Sequence, residues 1–151
     1  MSQLGFLEAE FAAVFEAGEK AERYALSDPG TSAIHARRAL ESGVKWVFTN
    51  DRELPQPYEN QLNAYLNEPA FKAIKGGKVF TVAKKIQRAG NKAVHEAQPL
   101  TKYDAVGVIS ALFQFCHWLA FTYGRIDKPD PALKFDPHKL MTVDVTEKAS
   151  L

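Results

Sequence analysis

Apolar side chains return every three or four positions along the opening of the chain. Leu4, Leu7, Phe11, Val14, Gly18, Ala21 and Ala25 form one stripe, and Glu8, Glu16, Glu19, Lys20 and Arg23 occupy the other side. That spacing is the period of a helix with one buried face, so the segment up to about Ala25 is predicted to be one long amphipathic helix. The run Ser27-Asp28-Pro29-Gly30 ends it, because proline disfavours helix at the residue before it and glycine frees the turn. A second helix is predicted from Thr31 or Ser32, either of which can cap it, to about Thr49. Its inner face is Ala36, Leu40, Gly43 and Val47, and Arg38 and Glu41, three apart, form a polar pair on its flank.

Further along, Pro55 and Pro57 mark a loop, and a short helix follows in YENQLNAYLN. Pro69 opens another helical turn, and Gly76-Gly77 is a hinge or turn. The next helix, KVFTVAKKIQRAG, buries Val79, Val82, Ala83 and Ile86, and Gly90-Asn91 is read as its end, leaving His95 in a bend. Thr101 and Asp104 have the spacing of a capping box at the head of the last helix, Lys102 to Tyr123. That helix is apolar almost all round, as at the centre of a bundle or in a dimer interface. Ser110, Gln114 and His117 interrupt it, which favours a core helix over a membrane span. The fold class is therefore all-α, a bundle of about five helices over residues 1–125. Residues 126–151 make an irregular C-terminal tail, a linker or docked arm rich in proline and charge, with MTVDV its one strand-like piece.

Composition narrows this picture. The 151 residues suit one domain, with 46% hydrophobic and 25% charged side chains. The single cysteine, Cys116, excludes an intramolecular disulfide framework and fits a reducing cytoplasm. No basic segment precedes an apolar one at the amino terminus, which argues against a secretory signal. The net charge is only +1, so attraction to nucleic acid requires a local patch.

Such a patch is present in the sequence. Lys72, Lys75, Lys78, Lys84, Lys85, Arg88 and Lys92 lie between Glu68 and Glu96 with no acid among them. Gathered cations attract phosphates and make binding salt-sensitive, although a solvated helix face paired with acids of the first helix would look the same. Arg88, Asn91 and His95 are the candidate catalytic group. A histidine can move the proton of a ribose 2′-hydroxyl, an arginine can hold the scissile phosphate, and an amide can position either. The structural alternative is that they hydrogen-bond to helix ends and lock the Gly-Asn bend. His35 reads as a flank residue and His138 belongs to the tail; Cys116 and His117, adjacent on a helix, point about 100° apart and make a poor nucleophile–base pair. No cluster has zinc-ligand spacing, and there is no phosphate-binding loop or nucleophile elbow, so no metal or cofactor is expected in this domain.

The ordered elements carry a resemblance over roughly Phe6 to Arg125. The long acidic first helix, Asp28-Pro29, Arg38 with Glu41, and the sequence Arg88, Gly90, Asn91, His95 resemble the amino-terminal domain of the R subunit of type I restriction-modification enzymes. That domain is similar in turn to the HEPN superfamily of helical bundles in prokaryotic defence. The resemblance implies a HEPN-like helical module that supports assembly with other restriction-modification subunits or docks on DNA or RNA. It would not itself carry the nuclease or ATPase motor of that type I deoxyribonuclease. It also implies an alternative, a metal-independent HEPN-type ribonuclease whose Arg88 and His95 meet those of a second copy in a homodimer. Active members usually place a polar residue directly after the arginine, whereas this chain has Ala89. A third reading is a non-catalytic interaction scaffold whose apolar last helix makes the dimer.

Overall fold

The computed structural model describes residues 2–95 and 99–140. Within these residues the chain is all-helical, with six α-helices and two 3-10 turns and no strand. In order they are a 3-10 turn at Gly5–Leu7, α1 (Ala12–Tyr24), α2 (Pro29–Asn50), α3 (Leu62–Asn67), α4 (Pro69–Lys72), a second 3-10 turn at Ile74–Gly77, α5 (Lys78–His95) and α6 (Lys102–Tyr123). Helix α2 packs against α1, α5 and α6, and α6 also packs against α5. These four helices enclose one core.

The first stripe is buried at all seven positions, yet it does not lie on one helix. The chain turns at Gly5–Leu7, leaves helical geometry at Phe11 (φ −122°, ψ 53°), and starts α1 at Ala12. Two contacts reward the break. The Phe11 ring sits edge-on to Trp46 of α2 with centroids 4.8 Å apart. The Glu10 carboxylate accepts hydrogen bonds from the Arg125 and Ile126 N–H groups beyond α6. Those two donors hold the Glu10 carboxyl below its usual range.

Helix α2 begins two residues earlier than Thr31. Asp28 is its cap, accepting from the Thr31 N–H at 3.2 Å, with Pro29 in the first turn. Neither hydroxyl caps it: Thr31 donates to Asp28 Oδ2 at 2.7 Å, and buried Ser32 donates to the Ala21 carbonyl at 2.6 Å, tying α2 to α1. Helix α3 starts at Leu62, because Leu62, Tyr65 and Leu66 are the residues that reach the core while Tyr58 is fully exposed. Glu68 then turns the chain and caps α4 through the Ala70 and Phe71 N–H groups.

Helix α6 matches its expected limits, with the Thr101–Asp104 capping box present in both directions. Its length and hydropathy would suffice to cross a membrane, but eleven of its 22 residues are buried inside the bundle. Burial pushes the Cys116 thiol up, so it stays protonated as a packing group. The tail is docked as far as Leu140. Gln3 exchanges two 2.8 Å hydrogen bonds with the Asp136 backbone, and Leu140 is buried. The strand-like MTVDV lies outside the described residues.

Candidate nucleic-acid interface

Helix α5 positions the candidate residues. It buries Val79, Ala83, Ile86, Gln87 and Gly90, spacings of one helical face, and the left-handed residues Lys75 (φ 50°), Gly76 (φ 64°) and Gly77 (φ 90°) reverse the chain into it. It does not stop at Gly90-Asn91. A Cβ on Gly90 would lie 2.7 Å from Arg37 Cβ and 3.2 Å from the Ala33 carbonyl oxygen. This glycine permits α2 and α5 to touch, rather than supplying the left-handed residue that ends a helix. The helix runs on to His95, which is exposed in its last turn, so the expected bend there is absent.

Because the helix continues, Arg88, Asn91 and His95 share one side of it. Arg88 and Asn91 line a groove of about 430 Å³ between α2, the approach to α3, and α5. His95 is not among its lining residues; seven residues of helix put it about 10 Å along the axis from Arg88. Within one chain the trio is collinear on a surface and does not converge on a point.

The groove draws in residues that sequence reasoning missed. Arg37 enters from α2, Asn60, Gln61 and Asn63 from the loop and start of α3, and Gln87 from α5. Lys84 donates to Gln87 Oε1 at 2.7 Å and Asn63 Oδ1 at 3.2 Å. Desolvation, then the nearby Arg88 and Lys72 charges, lower the Lys84 pKa, and Lys84 forms no ion pair among the described residues. The Arg37 Nε is buried without a hydrogen-bond partner. The one lining carboxylate, Glu41, is engaged by Lys45 at 3.0 Å. That pair replaces the expected Arg38–Glu41 contact: Arg38 forms no ion pair among the described residues.

Three cations and five amides therefore face one hollow, and its one acid among the described residues is paired with Lys45. An arginine or lysine there can hold a phosphate, and side-chain amides can hydrogen-bond to base edges. The seven-residue basic stretch does not form a single patch. Lys84 and Arg88 turn to this groove, Lys75 and Lys78 line a different cavity against α6, and Lys72 lies over the Phe80 ring at 4.8 Å. Lys85 reaches toward Gly107 of α6, and Lys92 is exposed near the end of α5. Among the described residues no three His, Cys, Asp or Glu side chains gather in a way that could hold a metal ion.

A protein family described as a domain of unknown function, DUF4145, matches residues 19–133. The chain belongs to the DUF4145 family. The matched region holds every groove residue from Arg37 to Asn91. No curated protein and no solved structure matches the chain.

Proposed function

We propose that this DUF4145 chain is a nucleic-acid-docking helical module of the kind it resembles in the R subunit of type I restriction enzymes, acting in the cytoplasm beside partner subunits and not cutting by itself. The observation that carries this reading is the groove between α2 and α5, where Arg37, Lys84 and Arg88 stand among amides and the one lining carboxylate among the described residues, Glu41, is held by Lys45. A strand bound there would place phosphates on the cations, and Lys84, which forms no ion pair among the described residues, would gain an anionic partner.

The test is fluorescence anisotropy with labelled single-stranded DNA and RNA from low to moderate salt. Arg88→Ala and Lys84→Ala should each flatten the log–log salt slope by about 0.7, one phosphate contact on a single strand. Lys20→Ala, on the exposed face of α1, should leave it unchanged. Salt-insensitive binding, or none, would overturn the docking role.

A second reading rests on a separate observation, that Arg88, Asn91 and His95 lie on one side of α5, with Arg88 and His95 exposed. Two copies facing each other would set His95 of one against a phosphate held by Arg88 of the other, the arrangement of a HEPN-type ribonuclease. Cleavage of labelled RNA in EDTA that disappears in His95→Ala would establish that activity in place of the docking role.

A further inference from the structure

The opposite flank of α5 carries a second hollow that does not depend on the nucleic-acid reading. At about 100° per residue, Lys78, Val79 and Val82 face away from Lys84, Arg88 and Asn91. They border a cavity of about 610 Å³, closed on its other sides by α6 and by the docked tail at Pro131–Phe135. That volume lies within the usual range of small-molecule sites, roughly 300–1,000 Å³.

The lining is apolar inside and cationic at its border. Val79, Phe113, Phe115 and Trp118 are buried, whereas Phe121 and Leu133 remain 40% and 43% exposed, so apolar surface is still open to water. His117 donates to the Asp130 carbonyl at 2.8 Å and stacks on Phe121 (6.0 Å, 9°), which ties the tail across α6 as a wall. Lys75, Lys78 and Lys134 border the cavity, no carboxylate lines it, and none of these lysines is in an ion pair among the described residues. A fourth, Lys128, stands 5.6 Å over the Phe121 ring. Besides the lysines and His117, the polar lining groups are Ser110, Gln114 and Thr122, all on α6. That is too one-sided a set to read a base edge, and it suits an apolar body.

We propose that this cavity binds an amphipathic anion: an acyl-chain-like apolar body seated against Phe113, Trp118 and Phe121, with one carboxylate or phosphate head on Lys75, Lys78 and Lys134. Covering Phe121 and Leu133 supplies the hydrophobic gain, and the head answers a border with positive charge and no acid.

Trp118 lines the cavity, whereas Trp46 packs against Phe11 and Tyr123, so the Trp46→Phe protein reports on the cavity alone. Its fluorescence is titrated with dodecanoate and with dodecyl phosphate below their micelle concentrations, alongside neutral dodecyl maltoside. Saturable one-to-one binding of an anion, weakened about ten-fold by Lys78→Glu with Lys134→Glu and untouched by Lys84→Ala, is the expected result. The tighter of the two anions identifies the head group. Phe121→Ser, checked by thermal unfolding for an intact fold, should reduce the affinity for both. The proposal is overturned if neither anion saturates by about 1 mM, if dodecyl maltoside binds equally well, or if the lysine reversals have no effect.

Discussion

Replacing three helical glycines by alanine, one at a time, separates helix propensity from interhelix packing. In isolation each change favours helix by up to about 1 kcal/mol. At Gly107 of α6 the new methyl would meet only the end of a flexible chain, Lys85 Nζ at 3.2 Å, which can swing aside. At Gly90 it would lie 2.7 Å from Arg37 Cβ and 2.8 Å from Arg37 Cδ, where carbon atoms prefer about 3.5–4.0 Å. The stem of Arg37 cannot rotate away, so α2 and α5 must part. At Gly43 the methyl would lie 2.7 Å from Cε2 of Phe115, a ring with no exposed surface. Overpacking of this kind costs about 1–3 kcal/mol, which outweighs the propensity gain. Gly107→Ala should therefore stabilise, while Gly90→Ala and Gly43→Ala should destabilise, a spread of about 2 kcal/mol. For a chain of this size that corresponds to about 4–8 °C in Tm, read by calorimetry or by circular dichroism at 222 nm. Gly90→Ala should also weaken any ligand of the groove, because it separates Arg37 from Arg88. If Gly90→Ala melts as high as Gly107→Ala, close α2–α5 contact is not the reason for this glycine.

Other outcomes follow from single side chains. Glu22 is buried with Ser2 and Gln3 as hydrogen-bond donors, and desolvation raises its pKa above the ordinary 4.5. A folded pKa above the unfolded one makes stability fall as pH rises through it, so urea titrations at pH 4 and pH 7 should show Glu22→Gln gaining on the wild type at the higher pH. No relative change between the two pH values would mean that the carboxyl is not held in its neutral form. Cys116, fully buried with its thiol shifted up, should resist a thiol reagent in native buffer and react in stoichiometric amount in denaturant. Rapid native labelling would contradict its burial. Asp28→Ala removes the cap of α2 and should cost about 1 kcal/mol by chemical denaturation, whereas Thr31→Ala should cost less, since its N–H is the donor to the cap and its hydroxyl only a second ligand of Asp28.

The features legible in the chain alone are those decided over three or four residues. The Leu4–Ala25 stripe, the inner face of α2, the capping box at Thr101 and the apolar run of α6 were all readable, because a helix repeats its faces locally and its caps are neighbours in sequence. Arg88 and Asn91 could be singled out by spacing, but Arg37 could not: beside Arg38 it carries no local mark, and only the approach of α5 at Gly90 places it in the groove. The amides of Asn60, Gln61 and Asn63 were equally silent, since the sequence reads them only as part of a short helix, YENQLNAYLN, whereas the structure starts that helix at Leu62. Tertiary structure also overruled two local signals. Helix α5 passes through Gly90-Asn91, because the small residue is needed against α2, and the first helix breaks before Ala12, because Phe11 and Glu10 find partners on Trp46 and beyond α6. The run of basic residues was visible as a count, but a helix distributes neighbours about 100° apart, so the fold alone could assign Lys84 and Arg88 to one hollow and Lys75 and Lys78 to another.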